Sequence, residues 1–439
     1  MSPSGRKTNM FKSFAVVAAL ALATTANGET YAIQAGHLIT DAAKPARGPS
    51  TVIVENDRIV RIEDGATAPT GATVVDLREK TVLPGLIDAH VHLTQDAGLA
   101  WYATLRTKYS EPYAATTGLK NALITARAGF TTLRDAGGPA LASLAMRDAI
   151  NEGAFPGPRI LVATTPLSII GGHADSVVGL APELGDAINK ADPQVGVCTG
   201  AAECAKAVRL IAARGANVIK FMATGGVLDD GAIGLEQHFT DAEMKAICET
   251  AHQMGLKAMA HAHGARGIEA AVRAGVDSIE HGTFADDTDI ALMKAKGTYM
   301  VATLMAFKGL TMYLGKGIYT ENSEAKGRRT LSEWGKALNR AYKGGVKIAL
   351  GTDAAVFPHG QNAEEIQLMV EKGGMTPRDA LIAATKGGAD LLGIASQAGT
   401  LEPGKSADLI AVDGDPLTDA TAVQHVRYVM ARGRPIPMK

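Results

Sequence analysis

A chain of 439 residues has room for about three average domains, or for one large α/β barrel with a smaller unit attached. Its 46% apolar and 20% charged residues exclude a disordered chain, and a net charge of −1 leaves no electrostatic footprint for nucleic acid. The 49 glycines follow no collagen-like period, and the 3 cysteines (Cys198, Cys204, Cys248) offer no C-x-x-C zinc spacing. A large, glycine-rich globular enzyme is the class that remains.

At the start of the chain, Arg6, Lys7 and Lys12 precede an apolar run, Phe14 to Ala23, followed by small residues up to Gly28. A basic stretch, a short apolar core and small residues form the pattern of a secretory signal over 1–28, with a buried N-terminal helix as the alternative. The run is too short for a bilayer span, which needs ~20 apolar residues. The reading predicts a secreted or periplasmic protein with no membrane segment in its mature form. In such a compartment Cys198 and Cys204 could pair or stay free.

Residues 29–84 read as short strands: Tyr31–Ala35, Thr51–Val54, Arg58–Ile62 and Thr73–Leu77, with Glu55-Asn56-Asp57 as a hairpin link. Similar strands return near the end, at Ala407–Val412 and Val426–Met430. The expectation is one small β-sandwich built from both termini, 29–84 and 397–439, enclosing a central α/β unit at 85–396.

The central unit repeats a logic. A helix stops at a glycine, a short apolar strand follows, and a polar residue sits at its far end. Gly129 leads to Asp135, Gly215 to Lys220, Gly255 to His261, Gly275 to His281, Gly297 to Thr303, and Gly345 to Thr352-Asp353. Adding Leu86–His92 and Arg159–Thr164 gives eight strands alternating with helices, which predicts a parallel (β/α)8 TIM-type barrel with reactive residues at the C-terminal strand ends.

Those strand ends carry the chemistry. Residues two apart in a strand share a face, so His90 and His92 can grip one ion together. His261, His281 and Asp353 end three further strands, and so many polar groups at one mouth call for a cation. Lys220 points at the same cluster, unless it caps a helix or pairs with Glu280 or Asp135. An ammonium beside divalent cations loses its proton readily. The neutral amine can add carbon dioxide to become a carbamate whose two oxygens bridge two metals, which argues for a binuclear site.

The run Leu83-Pro84-Gly85-Leu86-Ile87-Asp88-Ala89-His90-Val91-His92, with Lys220, His261, His281, Gly351-Thr352-Asp353 and a split β domain, resembles the amidohydrolase superfamily over essentially the whole mature chain. Within it, Ala260-His261-Ala262-His263-Gly264 and Ile279-Glu280-His281-Gly282 resemble the group of Xaa-Pro dipeptidases, carboxypeptidases for dipeptides and acyl amino acids, and ochratoxin-hydrolysing amidohydrolases. The resemblance implies two divalent ions, with zinc expected. It makes His90 and His92 ligands of one and His261 and His281 ligands of the other. Lys220 becomes the bridging carbamate, and Asp353 a ligand that also shuttles protons. His263 and His173 fall where the group contacts substrate; for either, a loop histidine satisfied by its surroundings is the other reading. Segment 225–239 departs from the group in lacking an obvious aromatic anchor for a substrate carboxylate.

The expected activity is hydrolysis of dipeptides or N-acyl amino acids, with ochratoxin A among the acyl amino acids and phenylalanine as its leaving group. A cyclic-amide hydrolase or heterocycle deaminase is the alternative, and a catalytically silent scaffold of the same fold a third. Loops at roughly 165–201 and 305–329 should shape the pocket. The second carries Met305, Phe307, Met312, Tyr313, Leu314 and Tyr319, which suit either an apolar pocket or a subunit interface, and exposed apolar loops point to a homo-oligomer.

Overall fold

The computed structural model describes residues 29–98, 110–191, 195–231 and 234–439. The signal-like segment 1–28 lies outside the described residues. The strands are, in chain order, β1 (Thr30–Leu38), β2 (Ser50–Glu55), β3 (Arg58–Asp64), β4 (Thr73–Pro84), β5 (Leu86–Val91), β6 (Phe130–Asp135), β7 (Arg159–Val162), β8 (Val218–Met222), β9 (Lys257–Ala262), β10 (Ser278–His281), β11 (Tyr299–Val301), β12 (Leu409–Val412), β13 (Val426–Ala431) and β14 (Arg434–Pro435). The helices include α1 (Glu111–Arg127), α2 (Ala140–Asn151), α3 (Pro182–Ala191), α4 (Ala201–Ala213), α5 (Asp241–Gln253), α6 (Ala265–Ala274), α7 (Asp287–Lys296), α8 (Leu304–Tyr313), α9 (Glu321–Leu331), α10 (Lys336–Gly344) and α11 (Glu364–Glu371).

Both termini meet in one sheet of seven strands, ordered β14-β13-β12-β4-β1-β2-β3. The β2–β3 hairpin turns at Asn56, whose φ of 57° is the left-handed value that asparagine tolerates. β1 runs parallel to β4, and β12 pairs antiparallel with the far end of β4, so the C-terminal strands extend the N-terminal sheet. Where a sandwich is expected, the hydrogen bonding of the terminal unit describes a single continuous mixed sheet. Its core, including Ile33, Val52, Val54, Val82, Leu409, Ala411 and Met430, draws on both ends of the chain.

In the central unit, β5, β6 and β7 form one parallel sheet, and β8, β9, β10 and β11 another. β5, β6 and β8 are buried at every position, as strands covered on both faces must be. Single bridges link the pieces: Leu167 with Phe221, Met300 with Ile348, and Val91 with Ala354. The expected eighth strand, 346–350, is thus held between its neighbours by bridges rather than by a full ladder. α6 and α10 stop at Gly275 and Gly345, with φ of 96° and 76°, in the left-handed conformation that ends a helix cheaply only at glycine. The segments expected as long loops are partly helical, containing α3, α8 and α9. Cys198 and Cys204 are joined as a disulfide, and Cys248 is free and buried.

Candidate metal centre and active site

The C-terminal strand ends converge as the sequence predicts. His90, His92, Lys220, His261, His281 and Asp353 line one cavity of about 1110 Å³, together with His173 and His263. Asp353 Oδ1 lies 3.5 Å from His90 Nε2 and 3.4 Å from His92 Nε2. Lys220 Nζ lies 3.4 Å from His90 Nε2. Two donors bound at 2.0–2.1 Å to a tetrahedral zinc stand about 3.4 Å apart, so the two separations from Asp353 to the imidazoles are those of ligands sharing an ion. Ligand atoms of His90, His281 and Asp353 all fall within 4.8 Å of one another, and so do those of His261, His263 and His281. His281 belongs to both groups, and His263 stands as close to the cluster as the expected ligands do.

Partners behind the rings decide which nitrogens face the cluster. His90 donates from Nδ1 to Glu280 Oε2 at 2.7 Å, and His92 from Nδ1 to the Gly137 carbonyl at 2.7 Å. A carboxylate and a carbonyl only accept, which puts the proton on Nδ1 and turns the Nε2 lone pair inward. His281 and His263 have Nδ1 against Thr303 Oγ1 and Thr283 Oγ1, each at 2.7 Å. His261 is reversed: its Nε2 faces the Gly225 carbonyl at 3.3 Å, so Nδ1 is its inward donor.

Burial sets the charges. It pulls His90 down to about 4 and His263 to about 3, and carries His261 and His281 well below the usual imidazole value. Neutral imidazole is the form that ligates a metal. Burial opposes the ionised Asp353 carboxylate, but His92, His90 and His281 around it hold its pKa far below the ordinary range. Burial also lowers the Lys220 ammonium to about 8, towards the neutral amine. Glu280 and Asp135, the alternative partners for Lys220, are engaged elsewhere: Glu280 with His90, Arg134 and Ser278, Asp135 with the Leu93 amide and Ser143. A set of inward lone pairs, one carboxylate and a buried amine fits divalent cations and a carbamate.

The rim is strained. His281 ends β10, while Thr164, Thr303 and Asp353 follow β7, β11 and the run 346–350; the φ values of Thr164, His281, Thr303 and Asp353 are 58°, 68°, 49° and 61°. Left-handed backbone at such residues costs ~1–3 kcal/mol each and gathers where function fixes geometry.

Several working residues carry no signal in the sequence. Asp229 Oδ2 accepts from His173 Nδ1 at 2.5 Å and from the Gly226 amide at 2.9 Å. Lys326 of α9, buried, donates to the carbonyls of Gly226 and Asp229 at 2.7 and 2.5 Å. Burial works against the Asp229 carboxylate, but His173 and then Lys326 hold its pKa well below normal. His173, oriented in this way, has its ring 4.4 Å from that of His261. Of the apolar residues expected to line the pocket, Phe307, Tyr313 and Tyr319 do, while Met305 is in the core. Phe239 is also core, packed on Phe221, and so provides no aromatic anchor.

Comparison with known proteins agrees with this geometry. The family model described as "Amidohydrolase family" matches residues 81–436. The ochratoxinase of Aspergillus niger is 34% identical over 428 residues, spanning 93% of this chain and 86% of its own length. A crystal structure of a Xaa-Pro dipeptidase with methionine bound in the active site superposes with a TM-score of 0.86 at 36% identity, covering 93% of this chain and 99% of the other. A prolidase complexed with N-methylphosphonate-L-proline gives a TM-score of 0.82 at 30% identity, covering 93% and 99%. Strand-end histidines, lysine and aspartate, a matching family model and relatives along nearly the whole chain lead to one assignment: the protein belongs to the amidohydrolase family and is a hydrolase acting on amide bonds.

Proposed function

We propose that the protein is a binuclear metal-dependent hydrolase of dipeptides or N-acyl amino acids, built on a (β/α)8 barrel, that releases an amino acid with a free carboxylate. The observation that carries this reading is Asp353 at 3.4–3.5 Å from both His90 and His92, with Lys220 beside His90 and the cluster continued through His281 to His261. Relatives that act on ochratoxin and on Xaa-Pro dipeptides support the substrate class.

His90, His92, His261, His281, Asp353 and a Lys220 carbamate would hold two divalent ions, zinc being expected, which would supply a lowered water pKa and polarisation of the amide carbonyl. Asp353 accepts the proton of the attacking water and hands it to the departing nitrogen, since an amine leaves poorly as an anion. His263, anchored by Thr283, donates to the carbonyl oxygen as charge develops there. His173, held by Asp229, faces the carboxylate of the leaving amino acid, and Phe307, Leu310, Tyr313 and Tyr319 sheathe its apolar side chain. Export rests on the basic-then-apolar start of the chain, and a homo-oligomer on exposed Leu141 and Ile170, 70% and 73% accessible.

The test pairs metal content per chain with turnover of N-acetyl-phenylalanine, its amide-blocked counterpart, Xaa-Pro dipeptides and a hydantoin. We expect about two divalent ions per chain and cleavage of the free acids. Lys220→Ala should lose at least one ion and regain part of its activity with added short carboxylates. Equal cleavage of the blocked acid overturns carboxylate recognition, and opening of the hydantoin alone replaces this reading with a cyclic-amide hydrolase.

A further inference from the structure

Beneath the cluster lies an ion pair that the proposed chemistry leaves unused. Glu280, with no exposure to solvent, sits on β10 immediately before His281. Its Oε2 accepts from His90 Nδ1 on β5 at 2.7 Å. Its Oε1 accepts from Arg134 Nη2 on β6 at 2.9 Å and from Ser278 Oγ at 2.5 Å. Arg134, also buried, donates from Nε to the carbonyl of Ala89, next to His90, at 2.6 Å. Three strands are therefore pinned at one buried carboxylate.

The backbone explains how two consecutive residues serve one site. In a regular strand, neighbours project to opposite faces. His281 has a φ of 68°, which breaks that alternation and lets its ring join the cluster while the Glu280 side chain also lies beneath it. His281 belongs to both ligand groups, and His90 to the group shared with Asp353. Resting on the metal-centre reading above, we infer that Glu280, braced by Arg134, is a positioning residue that orients His90 as a ligand in its half of the metal centre.

A carboxylate does this better than a neutral acceptor. It fixes the proton on Nδ1, leaves Nε2 as the inward donor, and raises the basicity of the ring as a ligand. Arg134 compensates the buried charge, which would otherwise be strongly destabilising. The Ser278 hydroxyl fills a second acceptor site on the carboxylate and leaves the His90 bond untouched.

Apoprotein titrated with cobalt(II), whose visible absorption reports each site, tests the inference without measuring activity. Glu280→Gln should bind cobalt about 10–100-fold more weakly at the site containing His90, with the other site changed less than ~3-fold. Ser278→Ala should leave both sites within ~3-fold of the unaltered protein. Should Glu280→Gln fail to fold, the double variant Arg134→Met with Glu280→Leu removes both charges together and should show the same one-sided loss. Unchanged affinity at both sites, or an equal loss at both, overturns the positioning role. No cobalt bound by the unaltered protein overturns the metal-centre reading itself, and this inference with it.

Discussion

At the scale of single residues, the proposed function gives Asp353 two duties, metal ligand and proton shuttle, that one substitution separates. Its Oδ1 sits between His90 and His92 at ligand spacing, and its carboxylate is held ionised against burial. Asp353→Asn keeps an oxygen donor but cannot take up a proton. We expect near-normal metal content with turnover reduced ~10²-fold or more, measured by metal analysis beside steady-state kinetics. Activity within a few-fold of the unaltered protein would remove the shuttle from the mechanism. The cluster residues were legible because each ends an apolar strand, where a polar residue needs a reason. Glu280 and Arg134 occupy equally telling positions, but their function lies in bonds across β5, β6 and β10, and no spacing within one strand encodes such a bond. Asp229 and Lys326 are further from view, brought together from 97 positions apart.

Elements show the same division. Glycine-stopped helices followed by apolar strands gave the strand positions, since a left-handed stop is a local property of the chain. The helices within the pocket-forming segments were hidden for a physical reason. α8 starts at Thr303 without a side-chain cap, and its first amides, Leu304 and Met305, are bonded by the Glu365 carboxylate of α11. A cap donated from so far along the chain leaves no local signature, and burial raises that carboxyl to about 8. α9 clamps the loop 226–231 through Lys326, and the clamp depends on pH. The Asp229 pKa is lowered in the folded state from an ordinary value of 3.8. Its contribution to stability is therefore complete above that ordinary value and disappears as the pH falls through the folded one. Asp229→Asn should lower stability at neutral pH and flatten its decline between about pH 4 and pH 2, as read from urea midpoints across that range. A midpoint profile parallel to that of the unaltered protein would mean that the clamp is electrostatically idle.

At the scale of the whole molecule, the terminal sheet makes the two ends of the chain one unit. β12 covers the edge of β4 through register pairs such as Val82 with Ala411, and β4 leads directly into β5, which carries His90. A chain ending at residue 396 would leave one edge of β4 unpaired and open the core formed by Ile33, Val82 and Leu409. We expect that truncation to abolish cooperative unfolding by circular dichroism, not merely to reduce activity. A truncated chain with a sharp transition would make the terminal sheet an accessory. The sequence told which segments are strands, but a sandwich and a single seven-stranded sheet differ in long-range partners. The parallel pairing of β1 with β4 has no local mark.

The left-handed strand ends bear on how such an enzyme responds to selection. Glycine at Thr303 would relax the backbone there and at the same time remove the hydroxyl that holds His281. Glycine at Asp353 would relax the backbone and delete the carboxylate. Heat challenge alone would reward both changes if the relief exceeds glycine's extra chain entropy, while each removes a side chain that builds or braces the histidine cluster. A screen that scores heat resistance and turnover in the same clone keeps these positions fixed, and directs improvement to surfaces remote from the strand ends.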